Sequence, residues 1–97
     1  MAKYIILVNY TQKGVENIKE SYNRFNAFKQ LCQSMGAKVE ANYLTMGRYD
    51  VVVIVDAPDS ETIAKIVLTT ASRGAISTET LQAFPDEEYR RIISELP

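Results

Sequence analysis

A chain of 97 residues, 46% hydrophobic and 24% charged, has the balance of one folded domain and is too apolar for a disordered one. A net charge of −1, with no basic run longer than Arg90-Arg91, argues against nucleic acid or an acidic membrane surface as partner. With no histidine and a single cysteine, Cys32, the chain excludes serine–histidine and cysteine–histidine catalysis, histidine-held metals, an internal disulfide and a zinc cluster within one chain.

The first apolar run, Tyr4 to Val8, lies between Lys3 and Asn9. It is too short for a membrane span and lacks the layout of a signal peptide, so a cytoplasmic location is the default. Lys3 to Tyr10 reads as a strand buried on both faces, because alternation is absent from its centre. Thr11-Gln12-Lys13-Gly14 is the connection, with Thr11 the expected helix cap. From Val15 to Met35, apolar residues recur at Val15, Ile18, Tyr22, Phe25, Phe28, Leu31, Cys32 and Met35, which predicts one long amphipathic helix. Gly36 suits its C-terminal stop.

Lys38 to Met46 is the second predicted strand, with Val39, Ala41, Tyr43 and Thr45 sharing a face. Gly47-Arg48 follows as a two-residue hairpin link of type II′. The central strand is Tyr49 to Asp56, and its run Val51-Val52-Val53-Ile54-Val55 is the most apolar stretch of the chain. Pro58, Asp59 and Glu61 start a second helix, whose expected buried stripe is Ile63, Val67 and Ala71 with Ala64 and Leu68. Gly74 ends it, Ala75 to Phe84 is a fourth strand, and a short last helix carries Ile92, Ile93 and Leu96. The expected whole is a single domain over 1–97. It is an α+β, ferredoxin-like βαββαβ plan: a four-stranded antiparallel sheet with two helices on one face and a short C-terminal helix.

Such a plan leaves one sheet face without helices. The first and third strands are apolar on both faces, so that face would be a patch larger than monomers usually expose. A second copy packing sheet against sheet removes it, which predicts a homodimer or a larger even oligomer, with Val51, Val53 and Val55 as interface residues. The other cover available is the terminal helix, which is too short to span four strands.

Gly47-Arg48-Tyr49-Asp50, the valine-rich run after it, Ala57-Pro58-Asp59, Thr11-x-x-Gly14 and the Gly74-to-Phe84 ending together resemble the GYD-domain family of small prokaryotic proteins. The resemblance covers nearly the whole chain. It implies a ferredoxin-like fold of the dimeric α/β-barrel type and brings no assigned reaction and no catalytic residues. Gly36-Ala37 departs from the Gly-Gly that often follows the first helix in that family.

Five side chains are candidate ligand-binding residues: Tyr10, Arg24, Tyr43, Tyr49 and Asp50. Tyr49-Asp50 reads either as a phenol–carboxylate pair at a barrel mouth or as structural, with Asp50 capping backbone donors or pairing with Arg48. Arg24, and Arg73 at the end of the second helix, could face an anion; the plainer reading is surface arginines. Cys32 reads as core, since neither a histidine nor a cluster of cations is there to activate its thiol. Asp56 and Asp59 read as helix-start acids rather than a metal site, and neither metal nor cofactor is expected. The preferred function is a non-catalytic oligomeric module binding a small molecule or a protein partner, with catalytic residues unknown. The alternatives are a cofactor-independent enzyme, such as a monooxygenase or isomerase, and a regulatory subunit that docks on an enzyme through its sheet edge.

Overall fold

Two βαβ halves interleave their strands in one four-stranded antiparallel sheet. The computed structural model describes residues 1–97 as β1 (Ala2–Tyr10), α1 (Gln12–Glu16), a 3₁₀ turn (Ile18–Glu20), α2 (Ser21–Ser34), β2 (Lys38–Leu44), β3 (Val51–Ala57), α3 (Ser60–Ser72), β4 (Ile76–Ala83) and α4 (Asp86–Ser94). The sheet order is β2-β3-β1-β4, so the two most apolar strands lie in the middle. Each strand shows alternate residues to the two faces. Tyr4, Ile6 and Val8 of β1 and Val53, Val55 and Ala57 of β3 face the helices and are buried against Phe28 and Cys32 of α2 and Ile63 and Ile66 of α3. Tyr4 lies opposite Val55, and Ile6 opposite Val53. Full burial of each large side chain in this layer contributes ~1.5–3 kcal/mol. The Tyr4 hydroxyl pairs with Ser60 Oγ at 2.9 Å, which ties β1 to the start of α3.

The helix ends follow the sequence closely. Thr11 Oγ1 accepts from Gly14 N at 3.3 Å and Asp59 Oδ1 accepts from Thr62 N at 2.8 Å, so both residues act as N-caps. Hydrogen bonding by Thr62, through its hydroxyl first and its amide second, holds the Asp59 carboxyl below its ordinary pKa. Gly36 and Gly74, at φ of 76° and 86°, stop α2 and α3 in the left-handed region.

Four expectations change. The single long helix is broken at Asn17, because α1 turns into a 3₁₀ segment before α2 begins. Val15 and Ile18 are consequently exposed, and the buried stripe starts near Phe25. The two-residue hairpin is a six-residue loop, 45–50, closed by Thr45 N donating to Asp50 O at 2.8 Å and Thr45 Oγ1 donating to Tyr49 O at 2.7 Å. On β2 a bulge between Val39 and Ala41 breaks the alternation, so Val39 packs against the core while Ala41 and Tyr43 lie opposite Ile54 and Val52 on the other face. In α3 the fully buried residue is Ile66 rather than Leu68, which is exposed.

The face away from α2 and α3 carries two apolar rows. Ala41, Ile54, Ile5 and Leu81 form one, and Tyr43, Val52 and Leu7 the other, the second continuing to Glu79. Ile5, Leu7, Val52 and Ile54 are only half-buried, while Leu81 and Tyr43 are exposed. The terminal helix α4 buries no residue, and a molecule 18 Å across its thinnest axis holds two layers, not three. The valines expected at the interface therefore need correction. Val53 and Val55 are 4% and 0% exposed beneath the helices, and Val51 packs against the same core. A sheet-to-sheet contact would have to run through Val52 and Ile54 instead.

Candidate functional site

A cavity of about 300 Å³ opens between the helices and the sheet. Its floor is Ile6 and Val8 of β1 with Val51 and Val53 of β3; its wall is Tyr22, Phe25 and Phe28 of α2. These three aromatics fall at steps of three along α2, so they stand on one face. Phe25 stacks on Phe28 at 6.4 Å between ring centroids, and Tyr22 tilts against Phe25 at 6.1 Å. Of the 19 lining residues 13 are hydrophobic, and the only charged ones are Arg24 and Arg73. The cavity is thus apolar and electropositive.

One end of it is set by a clamp between α1 and the α3–β4 turn. Thr11 N donates to Ala75 O at 3.0 Å, Thr11 Oγ1 donates to Gly74 O at 2.6 Å, and Lys13 Nζ donates to Arg73 O at 3.0 Å. Gly14 is required at this junction: a Cβ there would lie 2.1 Å from the Ala75 carbonyl oxygen. Arg24 reaches back from α2, donating to Asn17 O at 2.9 Å and to Gly14 O at 3.4 Å. It caps the carbonyls left free where α1 ends. Arg73 is exposed at the same end and takes part in none of the chain's ion pairs.

The five candidate residues separate into three places. Tyr10 and Arg24 both line the cavity. Asp50 lies just outside it and serves the backbone: its Oδ2 accepts from Tyr10 N at 2.9 Å, while its own N–H donates to Val8 O at 2.8 Å. Asp50 thereby fastens the entry of β3 to the end of β1. Tyr49 does not pair with Asp50. Its hydroxyl donates to Glu79 Oε2 at 2.7 Å, crossing β1 on the open face, and this bond holds the phenol above its ordinary pKa. Tyr43 lies on that open face, 58% exposed.

At the other end of the open face Lys3 sits between Glu40 and Asp56, 3.0 Å from the latter. The bulge brings Glu40 into reach. Glu40, ahead of the opposing effect of burial, raises the Lys3 pKa. Burial works to raise the Asp56 carboxyl, but Lys3 and its neighbours outweigh it and hold the group below its ordinary range. The open face is therefore an apolar band with polar pairs at both ends. No three metal-ligating side chains come together, and no helix is long and apolar enough to cross a membrane.

Sequence reasoning missed Glu79 as the partner of Tyr49 and Gly14 as a close-approach residue. Strand alternation puts Glu79 on one face with Leu81, so its face was readable; its partner, 30 residues away, was not.

The chain belongs to the GYD-domain family: the GYD domain model matches residues 4–93. It is 37% identical over 86 residues, 88% of this chain and 90% of the relative, to a protein of Thermus thermophilus named glutamine synthetase and cystathionine beta-lyase binding protein. Among solved structures, one from Thermus thermophilus is similar at a TM-score of 0.56 and 26% identity, covering 87% of this chain and 94% of that one. A second, 5-chloro-2-hydroxyhydroquinone dehydrochlorinase of Burkholderia phenoliruptrix AC1100, matches at a TM-score of 0.61 over 90% of this chain and 97% of that one. At 11% identity this second likeness concerns the fold alone. The fold is the ferredoxin-like α+β plan of the dimeric α/β-barrel type.

Proposed function

We propose that this member of the GYD-domain family is a non-catalytic, self-assembling module whose partner is an enzyme. The observation that carries this reading is the Thermus relative, named as a binding protein for two enzymes and alike over nearly the full length of both chains. The apolar band of the open sheet face supports the assembly. Two copies related by a two-fold axis would bury Ile5, Leu7, Val52, Ile54 and Leu81 against their equivalents, leaving the polar pairs at the rim. The surface left for the enzyme is the β2 edge and the loop beyond it, where Leu44 is 78% and Met46 100% exposed. An unpaired edge strand with apolar side chains beside it is suited to a partner protein.

A catalytic role has less support. The cavity lining contains no Asp, Glu, His, Lys or Cys, so nothing in it accepts a proton readily at neutral pH.

The test is interferometry with the chain immobilised and glutamine synthetase and cystathionine β-lyase from the same organism in solution. The reading expects saturable micromolar binding of at least one enzyme, lost in Met46→Glu. Absence of binding by both enzymes at tens of micromolar would overturn it.

A further inference from the structure

We propose that the cavity between the helices and the sheet binds a compact apolar carboxylate. Its volume, about 300 Å³, is at the small end of the usual ~300–1,000 Å³ for ligand sites. The body of the ligand would meet Phe25, Phe28, Val8, Val53 and Val67. These side chains offer dispersion contact and no hydrogen bond, so they select an apolar, preferably flat, body.

The charge follows from the lining. Arg24 and Arg73 contribute two positive charges, and no acid lines the cavity to neutralise them. Lys13 adds a third cation nearby, since its Nζ bonds the Arg73 carbonyl. The acid beside this end, Asp50, points its Oδ2 at the Tyr10 amide. An anionic group here is favoured over a neutral or cationic one. Arg24 has already committed two N–H groups to the Asn17 and Gly14 carbonyls, which fixes its plane. Arg73 makes no ion pair and has its whole fork to offer. One free planar fork suits a carboxylate, which takes two parallel N–H bonds. The hydroxyls of Tyr10 and Thr78, both in the lining, would orient the ligand further.

The site lies on the opposite side of the sheet from the apolar band, so ligand and second copy would not compete. The proposal adds to the enzyme-docking reading and does not depend on it.

The test is an NMR titration of the uniformly ¹⁵N-labelled chain, without any enzyme, using 2-naphthoate and its neutral counterpart 2-naphthamide. Saturable shifts are expected at the amides of Tyr10, Arg24, Phe28, Arg73 and Thr78, with Ile5 and Ile54 unmoved. The amide should bind about tenfold more weakly, because the charge-assisted bonds are lost. Arg73→Gln, at an exposed side chain, keeps the fold and should weaken naphthoate by about the same factor while leaving naphthamide unchanged. Equal affinity for acid and amide, shifts centred on the open face, or no saturation at millimolar acid would each overturn the proposal. The chain is titrated alone, so such a failure would leave the enzyme reading intact.

Discussion

Gly14, Asp50 and Cys32 each hold the fold by a different physical means. At Gly14, a Cβ would meet the Ala75 carbonyl at 2.1 Å. Gly14→Ala must push α1 off the α3–β4 turn, and a loss of ~2–3 kcal/mol in urea unfolding is expected. Asp50 satisfies the Tyr10 amide, so Asp50→Ala leaves a half-buried donor without a partner and should cost ~1–3 kcal/mol in the same assay. Cys32 is 0% exposed, and burial pushes its thiol up to about 11. It should resist a thiol reagent at neutral pH until the protein unfolds; rapid labelling of the native state would contradict that placement. The Lys3–Asp56 pair adds a pH dependence. The folded Asp56 pKa is depressed, so its stabilisation is present above the unfolded value and is lost as pH falls through the folded one. Asp56→Asn should therefore cost ~1 kcal/mol or less at neutral pH, and the difference from wild type should shrink as pH falls below the ordinary carboxylate range and through the lower folded pKa. Thr11 as a cap and Cys32 as core were legible from sequence, because caps and stripes are local. Asp50 as a cap for backbone donors was legible too, though not which donor, since Tyr10 lies 40 residues away; Gly14 and Tyr49 were not, because the atoms that explain them lie 61 and 30 residues away.

At the scale of elements, continuous apolar runs located β1 and β3, alternation located β2 and β4, helical spacing located the two main helices, and glycines marked the helix ends. What it could not give was the face each strand presents. Five consecutive aliphatic residues in β3 have no polar member to mark the solvent side, so Val53 and Ile54 look alike in sequence. The bulge at Glu40 likewise depends on pairing with β3, not on local composition. Substitution separates the two faces. Val53→Asp puts a charge beneath the helices and should abolish cooperative unfolding of a native state, whereas Ile54→Asp should keep a folded circular-dichroism spectrum. The long helix failed as one element because Asn17 stops α1 and Arg24 caps the break, a contact seven residues on that periodicity does not register. No residue of the amphipathic α4 is fully buried and only Ile92 is half-buried, so truncation after Ala83 should leave the melting temperature of the body nearly unchanged.

For the whole molecule, the two faces of the sheet divide the work. One packs on α2 and α3 and encloses the cavity; the other carries the apolar band. A patch of this kind on a small domain marks an interaction surface, and the proposed assembly would remove it from water. The site was legible only in part: Tyr10 and Arg24 do share the cavity, while Tyr43, Tyr49 and Asp50 lie elsewhere. The most direct measurement is light scattering coupled to size exclusion at micromolar concentration, on the wild type and on Ile54→Asp. The wild type should elute with a mass at least twice the 10.9 kDa of one chain, and the variant as a folded single chain. A wild-type mass of 10.9 kDa would contradict assembly through the open sheet face.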